Sequence, residues 1–345
     1  MREEAPWAVC VGESMAVLLP DVAGPLEAVG SFAVSVGGAE SNAACALRAL
    51  GVPSAWVSRV GDDGFGRRLV NEVAARGVDT SGVVVDPVLP TGLYVKEMSA
   101  AGRSTMHYYR KGSAASAMSP EMLAEPSVAG LLATARLVHL TGITPALSDT
   151  CLAMVRAMLE TDRAGRLVSF DLNWRPSLWR DRDRSVLREL VDAADIALLG
   201  ADEAEAVFGT GDPQELRELF PRPATLVVKD AERRVTALTA DGQTVSEVAL
   251  VVDVVEPTGA GDSFAAGYLA GVLRGFDQRR SLRLGHLSAA SALVAHGDVG
   301  EAGGLGDVVR LALLDASDEV WSAARVTADG VVSGVGADST AAAGS

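Results

Sequence analysis

The residues best suited to chemistry lie in the run VVEPTGAGDSF, in the last third of the chain. Gly259, Ala260 and Gly261 have no bulky side chains, so their backbone N–H groups can approach a ligand closely. The Ala/Gly/Leu-rich run that follows predicts a helix with Asp262 in its first turn and its positive end facing the same point. A carboxylate beside an anion hole can deprotonate a hydroxyl while the N–H groups hold a phosphoryl group in transfer, which predicts a kinase. The simpler alternative is an ordinary glycine-rich helix start.

A second glycine pair occurs in VGGAESNAACALRALG, residues 36–51. Gly37 and Gly38 allow a close backbone approach, and Ser41 or Asn42 falls at the start of a predicted helix. Helix-start amides beside two glycines suit the hydroxyl groups of a sugar. The alternative is a plain capped helix.

Two arginines follow predicted strands in polar surroundings. MHYYRKGSAAS contains Tyr108 and Arg110, and FDLNWRPSLW contains Asn173 and Arg175 just after a strand. If both arginines converge on one pocket they suit a carboxylate, because a guanidinium binds it with two parallel hydrogen bonds. A neutral sugar would not require them. The alternative is two surface arginines in unrelated salt bridges.

Short apolar runs alternate with amphipathic segments along most of the chain, a pattern typical of buried strands separated by helices. The predicted strands are WAVCVG, SAWVSRVG, RLVHLTG, RLVSFDL, DIALLG and TLVVKD. The predicted helices cover Asn42 to Leu50, Phe65 to Arg76, Asp149 to Glu160, Arg184 to Ala193 and Asp202 to Phe208. The alternation implies an α/β fold, with a doubly wound, mostly parallel sheet flanked by helices. Such sheets bind ligands at the carboxyl ends of their strands.

Two segments interrupt this alternation, residues 14–36 and 91–110, with short β-type runs around glycine turns. The second predicts a hairpin that turns near residues 100–103. Together the segments predict a small inserted β-sheet, a lid that closes over the substrate and keeps water out of the transfer step. The alternative is an edge hairpin without a functional role.

Composition and net charge exclude some classes of function. Of the 345 residues 48% are hydrophobic, and the net charge of −15 argues against a nucleic-acid groove or an anionic membrane face. The start MREEAPW lacks an export signal and the apolar runs are too short to span a bilayer, so we expect a cytoplasmic protein. Cys10, Cys45 and Cys151 are predicted to be buried, reduced thiols. The small, polar segment 327–345 predicts a disordered tail.

The order and spacing of four motifs resemble the ribokinase-like (PfkB-type) carbohydrate kinases over residues 7–323. The motifs are GGAESN, GDDGFG, DLNWRP and PTGAGDSF. Within that family, HLTGITPALS, YYRKGSAAS and DLNWRPSLW look most like the 2-keto-3-deoxygluconate kinases, whose substrate is a keto sugar acid. The resemblance implies ATP and Mg²⁺ as co-substrates, transfer of the γ-phosphate to a terminal hydroxyl, and pairing of lids into a homo-oligomer.

The resemblance also implies roles for individual residues. Asp262 matches the catalytic base, and Gly259, Ala260 and Gly261 match the anion hole. The substrate contacts expected from the motifs and the resemblance together are Gly37, Gly38, Asn42, Tyr94, Tyr108, Arg110 and Arg175. The expected nucleotide contacts are Asn173, Lys229, Ala231, Arg234, Thr258, Gly259 and Gly261. Glu203 matches a glutamate that supports the metal ion indirectly.

The chain departs from the family pattern on the nucleotide side. The run KDAERRV has Ala231 and Arg234 where the family has glycines. The run GADE keeps Glu203 but has Gly200 in place of an asparagine, and Glu256 replaces the commoner aspartate before the anion hole. Because Mg²⁺ is held largely by waters and phosphates, losing one supporting amide does not by itself abolish activity.

The sequence therefore predicts ATP-dependent phosphorylation of a sugar acid, 2-keto-3-deoxygluconate to its 6-phosphate, with Asp262 as the general base. One alternative is a fructokinase or ribokinase that acts on a neutral sugar. Another is a catalytically weak family member that binds a sugar acid, an alternative motivated by the altered KDAERR run.

Overall fold

A nine-stranded sheet forms the centre of the protein, built from the apolar runs of the sequence. The computed structural model describes residues 7–98, 104–161, 163, 165–230, 233–255, 258–294, 307–328 and 330–333. The strands, numbered in chain order, are β1 (Ala8–Val11), β2 (Met15–Pro20), β3 (Phe32–Gly37), β4 (Ser54–Gly61), β5 (Val83–Asp86), β6 (Leu93–Met98), β7 (Ser104–Tyr109), β8 (Leu137–Thr141), β9 (Leu167–Asp171), β10 (Ile196–Gly200), β11 (Thr225–Asp230), β12 (Arg234–Thr239), β13 (Thr244–Val248), β14 (Val251–Val252), β15 (Ala324–Thr327) and β16 (Gly330–Ser333).

The order of strands in the main sheet places a crevice beside its first strand. The order is β13-β12-β11-β10-β9-β8-β1-β4-β5, with β11 to β13 antiparallel and the other pairs parallel. The chain runs outward from β1 through β4 to β5, then returns to the other side of β1 with β8 and continues to β11. Ligands bind where the strand order reverses in this way, at the carboxyl ends of the strands. For this sheet that point lies between β1 and β8.

Helices cover both faces of the sheet, which confirms the predicted doubly wound α/β fold. They are α1 (Ala39–Ala49), α2 (Gly64–Ala75), α3 (Pro126–Thr134), α4 (Asp149–Glu160), α5 (Val186–Asp192), α6 (Ala201–Phe208), α7 (Pro213–Leu219), α8 (Ala260–Leu273), α9 (Gln278–Leu293), α10 (Asp307–Leu314) and α11 (Asp318–Ala323). Single 3₁₀ turns occur at Leu26–Ala28, Ala114–Ala117, Pro120–Ala124 and Thr144–Ala146.

Two hydrophobic cores separate the helices from the sheet. Side chains alternate between the faces of a strand, so Ala8 and Cys10 of β1 join one core, while Val9 and Val11 join the other. The first core packs against α1, α2, α8 and α9, and the second against α3, α4 and α5. Burial on both faces explains why these strands read as continuous apolar runs.

The predicted strands and helices are present, but some of them begin or end at residues other than those predicted. The helix predicted from Asn42 begins three residues earlier, at Ala39, because Gly38 is its N-cap residue and the polar run Glu-Ser-Asn is buried inside its first turns. The helix predicted from Arg184 to Ala193 is shorter, Val186–Asp192. Helix α2 begins as expected, since the side chain of Asp63 caps it by accepting from the N–H of Gly66 at 2.7 Å.

A separate four-stranded sheet, in the order β3-β2-β6-β7, confirms the predicted second sheet. Its strands lie in the two segments that break the α/β alternation. The predicted hairpin turn at residues 100–103 lies outside the described residues, but β6 and β7 pair antiparallel from Met98 with Ser104 to Leu93 with Tyr109. One face of this sheet has its own small core of Met15, Val17 and Tyr94.

A third sheet includes part of the segment that we expected to be disordered, residues 327–345. Strand β16, Gly330–Ser333, pairs antiparallel with β15, which pairs in turn with β14. The apolar pair in the run GVVS explains the strand, because Val331 packs against the first core. Residues 334–345 lie outside the described residues.

The described helices are too short or too polar to cross a membrane, and the three cysteines are buried and free.

The contact between α8 and α9 depends on the absence of a side chain at Gly267. A Cβ there would lie 2.5 Å from the carbonyl oxygen of Leu284 and 2.8 Å from the Cα of Gly285. We expect Gly267→Ala to lower the free energy of unfolding by about 1–3 kcal/mol, because two of the three obstructing atoms belong to the backbone and the third is the Cβ of Ser288. Urea unfolding at pH 7 measures the change.

The matched control is Gly130→Ala in the exposed part of α3, where an added Cβ meets no atom within 4 Å. This control should be neutral or should stabilise the protein by about 0.5–1 kcal/mol, since alanine is the better helix former. Equal effects of the two substitutions would contradict the packing argument.

Candidate active site

The N-terminus of α8 lies at the GAGD run, for which the sequence predicts an anion cradle. Gly259 is the N-cap residue with φ of 80°, a left-handed conformation that favours glycine, and Thr258 directly precedes it. Ala260, Gly261 and Asp262 form the first turn. The first N–H groups of a helix have no acceptor within the helix, so they can bind an anion.

Two amide side chains hold the carboxylate of Asp262. Asn42 Nδ2, from α1, donates to Asp262 Oδ2 at 2.9 Å. Asn173 Nδ2, from the loop after β9, donates to Asp262 Oδ1 at 3.3 Å. Because an ionised carboxylate oxygen accepts more than one hydrogen bond, each oxygen retains the capacity to accept from a substrate hydroxyl.

The surroundings of Asp262 suit a general base. Burial raises the pKa of Asp262 to about 6, because desolvation disfavours the charged form. The hydrogen bond from Asn42 acts in the opposite direction, the negative charge of Asp171 raises the pKa, and the positive charges of Arg175 and Lys229 lower it. A base with a pKa near 6 is ionised at neutral pH and still accepts a proton readily.

The backbone at Asn173 is strained. Its φ of 38° makes it the one described residue other than glycine with a positive φ. Asparagine tolerates this region better than most residues, at a cost of about 1 kcal/mol. The N–H of Asn173 donates to Asp171 Oδ1 at 3.3 Å, which stabilises the turn. Strain of this kind is often kept where a side chain must be aimed at a site, here at Asp262.

Lys229 forms a nearly buried ion pair beside the cradle. Its Nζ lies 2.8 Å from Oδ2 and 3.1 Å from Oδ1 of Asp171, the last residue of β9. Burial acts to lower the pKa of Lys229, but the negative charges of Asp171 and Glu203 outweigh it and the pKa is raised. Lys229 therefore remains charged at neutral pH and can attract a phosphate group.

Glu203 and Arg175 lie at the edge of the same cluster. Arg175 Nη1 is 3.6 Å from Glu203 Oε1, and Arg175 is partly exposed. Burial raises the pKa of Glu203, and the positive charge of Lys229 acts against this rise. Arg175 thus contacts the charged cluster while its side chain stays accessible to solvent.

The charge balance suits a divalent ion that arrives with a nucleotide. Three carboxylates, Asp171, Glu203 and Asp262, stand near two cations, Lys229 and Arg175. Within the described ranges, no group of three or more His, Cys, Asp or Glu side chains could hold a metal ion by itself. Mg²⁺ fits this arrangement because it keeps several waters and binds through one or two carboxylates and the phosphates.

The predicted sugar side of the site includes the start of α1 and the four-stranded sheet. Gly37 ends β3, and a Cβ at Gly38 would lie 2.5 Å from the carbonyl oxygen of Glu13, so the chain passes close to itself here. The rings of Tyr94 and Tyr108 lie side by side on β6 and β7, with centroids 5.5 Å apart. Tyr94 is buried, whereas Tyr108 is exposed.

Arg110 is bound by a carboxylate of the protein itself. Its Nε donates to Glu13 Oε2 at 2.6 Å, and Ser113 Oγ donates to Glu13 Oε1 at 2.6 Å. Arg110 and Arg175 thus each have a carboxylate partner, Glu13 and Glu203 respectively. Their joint recognition of a substrate carboxylate stays a prediction.

The structure separates Arg234 from the other predicted nucleotide contacts. Arg234 pairs with Asp230 across the hairpin of β11 and β12, so its side chain lies on the opposite face from Lys229. There it lines an open groove of about 700 Å³ with α6 and α7. Ala231 lies outside the described residues, as does Glu256.

Sequence reasoning missed three acidic residues of this region: Glu13, Glu40 and Asp171. Asp171 lies near the end of a predicted strand, two residues before Asn173, so the rule that ligands bind at strand ends could have found it. Glu40 looks like an ordinary acidic residue in the first turn of a helix. Glu13 lies in a short polar link between two strands, and nothing in its local sequence indicates that it binds Arg110.

The doubly wound sheet, the separate four-stranded sheet, and the glycine-rich start of α8 beside the half-buried Asp262 together define the ribokinase-like class of sugar kinases. Residues 7–301 match the model of the pfkB family carbohydrate kinases, and the chain belongs to that family. It is therefore a sugar kinase.

Known relatives agree with this assignment. The chain is 39% identical over 296 residues to a 2-dehydro-3-deoxygluconokinase of Thermoproteus tenax, covering 83% of this chain and 87% of the relative. It is 34% identical over 300 residues to the enzyme of the same name from Bacillus subtilis (strain 168), covering 85% and 91%. A crystal structure of a PfkB protein from Polaromonas sp. JS666 superposes with a TM-score of 0.77 and 33% identity, covering 86% of this chain and 98% of that one.

The raised pKa of Asp262 gives a prediction about stability. A carboxyl group with a pKa of about 6 in the folded protein, against an ordinary 3.8, stabilises the fold fully below pH 3.8 and loses that contribution as pH rises through 6. Asp262→Asn should therefore raise the free energy of unfolding at pH 8 by about 1–3 kcal/mol more than at pH 4. Urea unfolding at the two pH values measures the difference.

Asp183→Asn is the control. Hydrogen bonds from Ser185 lower the pKa of this exposed carboxyl, so its contribution has the opposite sign. The control should give no gain at pH 8. A gain from Asp262→Asn that is the same at both pH values would show that burial does not raise the pKa of Asp262.

Proposed function

We propose that the protein uses ATP to phosphorylate the terminal hydroxyl of 2-keto-3-deoxygluconate and releases the 6-phosphate and ADP. The observation that carries the proposal is the carboxylate of Asp262, which two amides hold beside the first turn of α8. The likeness to two 2-dehydro-3-deoxygluconokinases supports the choice of this sugar acid over other kinase substrates.

In the proposed reaction Asp262 acts as the general base. Its carboxylate takes the proton of the terminal hydroxyl, and the resulting oxygen attacks the γ-phosphorus of ATP. The bond from the γ-phosphorus to the bridging oxygen breaks, and its electron pair leaves with ADP. Asn42 and Asn173 keep the carboxylate aimed at the hydroxyl throughout. Both amides remain neutral, so they orient the base without adding a positive charge beside it.

The charge that develops on the phosphoryl group is stabilised from two sides. The N–H groups at the start of α8 face it as helix-end donors, which cost no reorganisation during the reaction. Lys229, held by Asp171, supplies a positive charge from the end of β11. Mg²⁺, when bound, would supply positive charge to the phosphate groups. Glu203 and Asp171 are the residues that would hold it, through its waters.

The sugar acid is proposed to bind between α1 and the four-stranded sheet. Hydroxyl groups of the sugar are proposed to approach the backbone at Gly38 and the start of α1, and the exposed ring of Tyr108 is proposed to contact the sugar. Arg175 is a partly exposed cation whose charge acts on Asp262, and it is proposed to bind the substrate carboxylate. The four-stranded sheet serves as the lid that excludes water.

The direct test is a coupled assay that measures ADP release with ATP and Mg²⁺. The acceptors are 2-keto-3-deoxygluconate, its galactonate-derived epimer, fructose and ribose. We expect the highest kcat/KM with a keto sugar acid, and a loss of about 10²–10⁴-fold in kcat for Asp262→Asn with ATP binding retained. Highest activity on fructose or ribose would support a neutral-sugar kinase. No ATP binding by calorimetry would support a sugar-acid-binding protein without turnover.

Substitution of Arg175 tests recognition of the acid group. We expect Arg175→Gln to lower kcat/KM for the keto acid by about 10–100-fold, because a charge-assisted hydrogen bond contributes about 1.5–3 kcal/mol. Turnover of any neutral sugar should change much less. Arg222→Gln, at an exposed position after α7, is the control for loss of one positive charge. Equal losses of kcat/KM on acidic and neutral sugars would show that Arg175 does not recognise the substrate carboxylate.

A further inference from the structure

Glu40 is a fully buried acidic side chain for which the proposed reaction has no direct use. It lies in the first turn of α1, two residues before Asn42, and its exposed fraction is 0%. Residues two apart point away from each other on a helix. Asn42 reaches Asp262, while Glu40 reaches the main sheet.

The carboxyl group of Glu40 ties α1 to the loop after β8. Thr141 Oγ1 donates to Glu40 Oε1 at 2.8 Å, and Thr144 Oγ1 donates to the same oxygen at 2.9 Å. Thr141 is the last residue of β8, and its Oγ1 also accepts from the N–H of Ile143 at 3.1 Å. One carboxyl oxygen therefore fixes both the end of β8 and the 3₁₀ turn that follows it.

The same carboxyl group lies directly over the end of β1. A Cβ at Gly12, the residue after β1, would collide with the carboxyl atoms of Glu40, including Oε2 at 2.5 Å. Glu40 therefore occupies the crevice between β1 and β8, where the strand order reverses and ligands bind in sheets of this type. Glycine at position 12 leaves the space for it.

The second carboxyl oxygen of Glu40 lies in an unusual environment. Glu40 Oε2 is buried and has no hydrogen-bond partner among the described residues. Burial raises the pKa of Glu40 to about 7, the hydrogen bonds from Thr141 and Thr144 lower it, and the charge of Asp262 raises it further. The other titratable group facing it is Cys10 of β1, whose pKa is raised by burial and then by Glu40. Burying a carboxyl group with an unpartnered oxygen lowers the stability of the fold, so we infer that Glu40 has a role in the site.

We propose that Glu40 is a positioning residue for the catalytic base: it anchors the first turns of α1 to the ends of β1 and β8 and thereby holds the Asn42 amide against Asp262. This proposal rests on the proposed role of Asp262. Glu40 acts through Asn42 and does not touch the substrate. Loss of the anchor should therefore have the same consequence as loss of the Asn42 amide, namely a higher pKa of Asp262, because the bond from Asn42 lowers that pKa.

A double-mutant cycle with pH profiles tests this inference. The variants are Glu40→Ala, Asn42→Ala, the double variant, and Glu40→Gln as the conservative replacement that keeps the acceptor oxygen. We expect each alanine variant to lower kcat by about tenfold and to move the acid limb of the kcat/KM profile to higher pH. The double variant should lose far less than the product of the single losses, because coupled residues are not additive. Glu40→Gln should stay within about threefold of the unsubstituted protein, with the acid limb in place.

Additive losses, or an acid limb that does not move in Glu40→Ala, would overturn the inference. If Glu40→Ala does not fold, Thr144→Val, which removes one of the two donors, takes its place and should shift the limb in the same direction. All profiles use the sugar that the unsubstituted protein phosphorylates best, so a wrong substrate assignment leaves the test intact. If Asp262→Asn retains full turnover, the proposed mechanism fails independently of Glu40.

Discussion

The site depends on holding one carboxylate in place without neutralising it. A cation in direct contact with Asp262 would fix its position but would also lower its pKa, which weakens it as a base. The described side chains that bond to it are instead the neutral amides of Asn42 and Asn173. The nearby cation Lys229 is engaged by Asp171, so its charge reaches Asp262 only at a distance. The protein thus separates the task of orienting the base from the task of providing positive charge.

This arrangement requires several elements of the fold to keep fixed positions relative to one another. Asn42 comes from α1, Asn173 from the loop after β9, Lys229 from β11 and Asp262 from α8. The parallel strands bring their carboxyl ends to one edge of the sheet, and the helices that cover its faces begin or end there. The two cores, one on each face, hold these elements together over most of the chain. The chemistry of the site is local, but its geometry is a property of the whole sheet.

The sequence predicted the elements better than their contacts. Continuous apolar runs identified the strands of the main sheet because burial on both faces leaves a strong signal, and the glycine-rich GAGD run identified the start of α8. The start of α1 was placed too late because the polar residues Ser41 and Asn42 suggest a helix start, whereas Gly38 is the N-cap residue and the structure buries both polar residues. Partners distant in sequence left no local signal. Glu13 binds Arg110 from 97 residues away, and Asn42 reaches Asp262 across 220 residues.

The close approach of α8 and α9 has a consequence for how the two halves of the cleft respond to their ligands. Gly267 lies against the backbone of α9, and Gly285 of α9 lies against the ring of Phe264 on α8, so neither helix can slide past the other without collision. The helix that begins with the cradle is thus locked to its neighbour along its length. The four-stranded sheet has a smaller core of its own, formed by the buried residues Met15, Val17 and Tyr94. A phosphate donor would therefore meet a surface that is already organised, and the entropy lost on forming the ternary complex would fall mainly on the sugar side.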